Sequence, residues 1–278
     1  MAYEMIHSGN MSEILRISRR VCLRIGNLPV RDQCNTGIVL SDEGIVLIDY
    51  PEQHPDEEII EEAEILFKKP VSHIIFTHAH GDHRNGLASL HRRGIRLLGG
   101  ENAIREIESC YPSLPLDRRA IHSGEGVEIG NVRFSFWLPL RLPAHSPWDT
   151  AVSLPDEDAV FTGDFLVPPD YLYFHSSDWR NWLWELQKFE EAVREKILLM
   201  GHGYPQTKDS GCRGTMQYIK LLTALSEVLY EKRVTVLPER HLAVPDSAKP
   251  LFDALCSTTD PAAVRRQLIE LQVRRGKT

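Results

Sequence analysis

The chain has 278 residues, a hydrophobic fraction of 42% and a charged fraction of 26%, the composition of an ordinary globular protein long enough to bury a full core. Lys and Arg number 32 against 39 Asp and Glu, and the formal net charge of -7 argues against nucleic acid as a partner, because phosphate binding needs clustered positive charge. No run of about 18 apolar residues is present, so no membrane-spanning helix is expected.

The N-terminal MAYEMIHSGNMSEILRISRR lacks an apolar stretch followed by a small-residue cleavage site, which leads to the expectation of a cytoplasmic protein. Gly37-Ile-Val-Leu and Gly44-Ile-Val-Leu-Ile-Asp49 flank Ser41-Asp42-Glu43 and predict a β-hairpin. Residues 55–69 set Ile59, Ile60, Ala63, Ile65, Leu66 and Phe67 among acids, the pattern of an amphipathic helix. Val71-Ser-His-Ile-Ile-Phe-Thr77 predicts a buried strand. Gly124-Glu-Gly126-Val-Glu-Ile-Gly130 lacks the context of a phosphate-binding loop and reads as a hairpin turn. Over 132–138, Val132, Phe134 and Phe136 alternate with Arg133 and Ser135, predicting a half-exposed strand.

Residues 150–154 and 159–162 predict two strands around the turn Pro155-Asp-Glu-Asp158. Residues 182–196 read as a helix with Leu183, Leu186, Phe189 and Val193 on one face, and 197–200 as a strand ending at Gly201-His202-Gly203. Beyond Pro205 the pattern turns helical over 215–230 and 261–274, with a weaker helix over 245–257. This divides the chain, at a soft boundary, into residues 1–205 and a helical extension, 206–278, packed on them. The extension fits a cap, a lid or a homodimer contact. Five cysteines occur without a CxxC pair, so free thiols are expected rather than a disulfide framework.

The densest chemistry lies at Thr77-His78-Ala79-His80-Gly81-Asp82-His83, directly after a predicted strand. Imidazole nitrogen suits zinc and iron, and carboxylate oxygen adds charge and hardness. Fold stability does not require so many polar groups at a strand end, where they compete with core formation. The remaining histidines, His73, His91 and His175 among them, read as structural; His73 lies mid-strand, away from the loop.

His78-x-His80-x-Asp82-His83 resembles the HxHxDH signature of the metallo-β-lactamase superfamily. The resemblance covers roughly residues 15–205 and extends to His145 before one predicted strand, Asp164 after the next and His202 after a third. It implies an α+β fold, a four-layered αβ/βα sandwich with the site in loops along one edge, here with a helical C-terminal extension. By the same resemblance, His78, His80 and His145 would hold one divalent metal, Asp82, His83 and His202 a second, and Asp164 would bridge them. Asp49, closing a strand, resembles the family's Asp that orients a ligand from behind. Zinc is the first expectation; iron and manganese suit the same donors.

The activity so implied is hydrolysis of an ester, thioester, lactone or related small substrate by a hydroxide held between two metals, with Asp82 and Asp164 balancing their charge and positioning it. The zinc β-lactamases that hydrolyse penicillins carry Cys or Ser where this chain has Asp164, so β-lactams are not the expected substrate. An iron-dependent redox enzyme resembling persulfide dioxygenases is the alternative on the same ligands, and a non-catalytic metal-binding protein is the third reading. Trp148, Trp179 and Tyr204 are the candidate walls of a substrate pocket.

Overall fold

In the computed structural model, residues 3–8, 13–26, 33–52, 59–90, 94–114, 117–237, 242 and 244–275 are described. In chain order the first half contains β1 (Glu4–Ser8), β2 (Glu13–Arg16), β3 (Val21–Ile25), β4 (Thr36–Leu40), β5 (Ile45–Ile48), α1 (Ile59–Phe67), β6 (Val71–Phe76), α2 (Gly81–Arg84), β7 (Arg96–Gly100), α3 (Glu101–Cys110) and β8 (Asp117–Ile121). These eight strands form one sheet in sequence order, antiparallel from β1 to β5 and parallel from β5 to β8. Parallel neighbours need a crossover, which α1 supplies between β5 and β6 and α3 between β7 and β8.

The second half contains β9 (Gly126–Ile129), β10 (Val132–Trp137), β11 (Ala151–Leu154), β12 (Ala159–Gly163), α4 (Trp179–Ala192), β13 (Ile197–Met200), β14 (Gln206–Thr207), α5 (Lys208–Glu231), α6 (Lys249–Cys256) and α7 (Pro261–Arg275). Strands β14-β13-β12-β11-β10-β9 form the second sheet in that order.

Strand alternation explains the layers. β5 sends Val46 and Ile48 inward, toward Phe134, Phe136, Val152 and Phe161 of the second sheet. It sends Ile45 and Leu47 outward, toward Ile60 and Ala63 of α1. β12 likewise turns Phe161 inward and Val160 outward, where Trp182, Leu186 and Phe189 of α4 cover it. Leu222 of α5 and Leu268 of α7 belong to that same outer cluster. The result is the four-layered sandwich, helices outside two facing sheets.

Several elements differ from the sequence reading. The helix predicted over 55–69 runs from Ile59 to Phe67, and 53–58 lie outside the described residues. The glycine-bearing segment 124–130 is not simply a turn: its centre is β9, paired with β10 so that Val127 faces Phe134. α4 begins at Trp179 rather than 182, because the Asp178 side chain caps it by accepting from the Arg180 and Asn181 amides. α5 begins at Lys208 rather than 215, capped by Thr207, which accepts from the Ser210 amide. The predicted hairpin and the strands at 71–77, 159–162 and 197–200 are present within a residue or two.

Among the described residues no helix is long and apolar enough to cross a membrane, and all five cysteines are free.

Candidate metal centre

The two sheets end along one edge of the sandwich, and the polar residues collect there. Asp49 follows β5, residues 78–83 follow β6, Asp164 follows β12 and His202 follows β13. His145 lies in the loop entering β11, which runs antiparallel to β12 and so starts at the same edge.

The seven predicted side chains meet in two adjacent groups. Donor atoms of His78, His80 and His145 lie within 4.8 Å of one another, and so do those of Asp82, His83, Asp164 and His202. In the first group His80 Nδ1 is 2.9 Å from His78 Nε2 and 3.1 Å from His145 Nε2. In the second, His202 Nε2 is 3.2 Å from Asp82 Oδ2, and His83 Nε2 is 3.5 Å from the same oxygen. Asp164 lies between them: Oδ1 is 3.3 Å from His83 Nε2, while Oδ2 is 3.5 Å from His202 Nε2 and 3.9 Å from His145 Nε2.

Hydrogen bonds from behind aim these rings. His83 Nδ1 donates to Asp49 Oδ2 at 2.8 Å, which turns Nε2 toward the second group. Asp49 also accepts from the Thr77 amide at 2.8 Å and hydroxyl at 2.6 Å. It holds a left-handed φ of 62°, uncommon outside glycine, and three hydrogen bonds over-determine that conformation. The expected orienting role of Asp49 thus has a geometric basis. His80 Nε2 lies 2.8 Å from Ser176 Oγ, so an Nε2–H donated there leaves Nδ1 free toward His78 and His145. The loop carrying His145 is closed by Asp149, which accepts from the Ser146 amide at 2.8 Å and hydroxyl at 2.6 Å.

The site has room for donors but not for side chains. A Cβ at Gly201 would land on Asp164 Oδ1, with His83 Cε1 2.8 Å away. Gly163, at φ 50°, sits where a Cβ would strike Thr77 Oγ1.

Burial lowers the basicity of the first group: His78 is driven well below the usual imidazole range, His80 below it, and His145 down to about 3. These three are neutral donors. In the second group burial also opposes imidazole charge, but the surrounding anions prevail. His83 is raised well above its usual value, against burial, by Cys34, Asp164, Asp82 and Asp49; burial pushes the Cys34 thiol itself up to about 12. His202 is raised to about 9 against burial by Asp164 and Asp82. Asp164 itself is held well below the carboxylate range, the nearby His202 and His83 outweighing burial. The second group is therefore a place that calls for positive charge.

In the second group the buried His83 Nε2 and Asp164 Oδ1 face each other at 3.3 Å and make no hydrogen bond among the described residues. A cation between them would give each a coordination bond. Five imidazoles and two carboxylates in this arrangement suit a divalent transition metal in each group.

The pocket candidates fare differently. Trp148 stands edge-on to His80, ring centroids 5.4 Å apart. Trp179 packs against the hydrophobic cluster under α4, with the Arg180 guanidinium 4.3 Å over its ring. The exposed Tyr204 donates to Glu13 Oε2 at 2.9 Å, facing β2 rather than the ligands. His73 hydrogen-bonds with Ser72 at 2.9 Å, away from the cluster, while His91 lies outside the described residues.

Other residues around the site carry no motif of their own. Asn35 clasps the turn bearing His202, donating from Nδ2 to Met200 O at 3.0 Å and Gly203 O at 2.7 Å. Tyr171 stacks on His202, centroids 4.6 Å apart at 8°. Cys34 joins Asp49 and His83 within 4.8 Å, behind the ligands. Thr77, ending the predicted strand, was the one such residue adjacent to a readable signal.

Residues 29–202 match the family model of the metallo-beta-lactamase superfamily, and the chain belongs to that superfamily. It is 28% identical over 137 residues to a hydroxyacylglutathione hydrolase of Cereibacter sphaeroides, covering 49% of this chain and 50% of that protein. It is 27% identical over 158 residues to an atrochrysone carboxyl ACP thioesterase of a Cryptosporiopsis species, covering 55% and 46%. Over a shorter stretch of 64 residues it is 41% identical to a metallo-beta-lactamase type 2 of Bacillus cereus, covering 22% and 25%. The matches thus span a quarter to about half of the length of these relatives. Among solved structures, a metallo-beta-lactamase from Pontibacter korlensis superposes with a TM-score of 0.61 at 18% identity, covering 79% of this chain and 99% of that one. One from Erythrobacter litoralis gives 0.63 at 19%, covering 78% and 99%. At such identities the likeness is one of fold.

Proposed function

We propose that the chain is a metal-dependent hydrolase of an ester, thioester, lactone or related small carbonyl substrate. The observation that carries this reading is the pair of converging donor groups sharing Asp164, with His83 Nε2 and Asp164 Oδ1 buried between them without a hydrogen bond. His78 Nε2, His80 Nδ1 and His145 Nε2 would hold one ion, Asp82, His83 Nε2 and His202 Nε2 the other, and Asp164 both. Divalent metals supply Lewis acidity, bringing the ionisation of water from 15.7 to about 7 and polarising a substrate oxygen.

The chain's own residues do the rest. Asp82 and Asp164 balance the cationic charge. Asp49 and Ser176 fix which nitrogen of His83 and His80 faces inward. Trp148 places an apolar edge beside His80, a wall for the organic part of a substrate. Asp164 also supports a preference away from β-lactams. The names of two relatives, a hydroxyacylglutathione hydrolase and an ACP thioesterase, favour a thioester among the carbonyl classes. In this reading the ligand-bearing part ends near residue 205 and the helices that follow support it.

The test is turnover of a panel of chromogenic esters, thioesters, lactones and phosphodiesters by zinc, manganese and iron forms. The reading predicts hydrolysis of a carbonyl substrate that Asp82→Ala removes. Oxygen consumption with a persulfide by an iron form that hydrolyses nothing would contradict it.

A further inference from the structure

Residues 164–178 join β12 to α4 and run across the metal centre. This segment has no strand to pair with, so its backbone groups need partners from elsewhere. It touches one ligand from each donor group: Ser176 Oγ lies 2.8 Å from His80 Nε2, and the Tyr171 ring stacks on His202.

The C-terminal helix holds this segment in place. Glu270 Oε2 accepts from the Phe174 amide at 2.6 Å. Gln267 Nε2 donates to Pro169 O at 2.7 Å, and Arg266 donates to Asp170 O at 2.7 Å. Gln267 is fully buried and is fixed in turn by Tyr218 of α5, whose hydroxyl donates to its Oε1 at 2.8 Å. At the start of α7 the Asp260 amide donates to Asp170 Oδ1 at 3.0 Å. Leu172 and Phe174 are fully buried in the cluster shared with α5 and α7. The segment between two ligand-bearing strands is therefore pinned by side chains from the far end of the chain.

We propose that Ser176 and Tyr171 are positioning residues for the two metals and that α7 sets them, so the helical extension is a structural part of the metal centre. The proposal rests on the metal-dependent reading of the site. Ser176 selects the His80 tautomer whose Nδ1 lone pair faces His78 and His145; without its acceptor the ring is free to rotate or to protonate the wrong nitrogen. Tyr171 fixes the plane of His202 by covering one ring face. Glu270 and Gln267 act at one remove, by holding the backbone from which both side chains project.

The full chain, stripped of metal and titrated with cobalt(II), tests this. The parent is expected to take up two equivalents with a ligand-field spectrum. Ser176→Ala is expected to weaken the ion at His78, His80 and His145 by about 10- to 100-fold and to change its spectrum, with thermal stability little altered. Ser176→Thr, which keeps the hydroxyl, is expected to restore both. Glu270→Ala is expected to shift affinity in the same direction, and Glu270→Gln, which keeps a carbonyl acceptor for the Phe174 amide, to remain close to the parent. Ser176→Ala removes one hydroxyl and decides the matter even where Glu270→Ala destabilises the fold. Parent-like affinity and spectrum in Ser176→Ala, with two ions bound by the parent, would overturn this proposal and leave the hydrolase reading standing. A parent that binds no cobalt would overturn both.

Discussion

Asp49 shows how much one carboxylate behind a metal site can do. It receives the Thr77 amide, the Thr77 hydroxyl and His83 Nδ1, so removing it strands three buried donors at once. Asp49→Ala should weaken binding at the Asp82–His83–His202 group by about 10- to 100-fold, measured by competition with a chelator. It should also lower stability in denaturant by about 1–3 kcal/mol for each donor left unpaired. Gly201 predicts a sharper loss. Any Cβ there displaces Asp164 or His83, so Gly201→Ala should abolish retention of the second ion, read by elemental analysis. The ligands themselves were legible because six consecutive residues carry the signature and the later three sit at strand ends in order, His145 before one and Asp164 and His202 after theirs. Ser176, Tyr171 and Asn35 were not, because each acts on a ligand distant in sequence and nothing local distinguishes it from an ordinary loop residue. Tyr204, close to His202 in sequence, donates from its hydroxyl to Glu13 instead.

Among the elements, the mostly apolar runs of β5, β6 and β12 were readable although almost entirely buried, whereas β3 and β8 were not. β3, Val21-Cys-Leu-Arg-Ile, is buried at every position and includes Arg24, which pairs with Glu62 at 3.1 Å, so no alternation signals a strand. β8, Asp117-Arg-Arg-Ala-Ile, lies at the sheet edge and is polar for that reason. α4 supplies a prediction of its own. Glu185, fully buried in it, accepts from the Arg141 amide at 2.5 Å through Oε1, and burial raises its pKa above the ordinary 4.5. The folded form thus keeps its proton to higher pH than the unfolded chain. The contribution of this group to stability is greatest below 4.5 and declines as pH rises through the raised value. Glu185→Gln retains the acceptor and removes the titration. Its thermal midpoint relative to the parent should rise as pH increases from about 4.5, and a difference independent of pH would contradict the assignment.

At the scale of the whole molecule, two sheets with opposite outer helices bring their strand ends to one edge, and the chain returns at its C-terminus to brace that edge through α7. The centre gathers five imidazoles and two carboxylates that were paired in the sequence only by family pattern. Because metal binds the folded form, saturation at a hundredfold over Kd should add about 2.7 kcal/mol per site to stability, and chelation should remove it. The most direct test is elemental analysis of the chain purified without chelator, beside Asp82→Ala and His83→Ala. The account predicts two divalent transition-metal ions per chain in the parent and one in each variant. A parent without such ions, or variants that keep both, would contradict it.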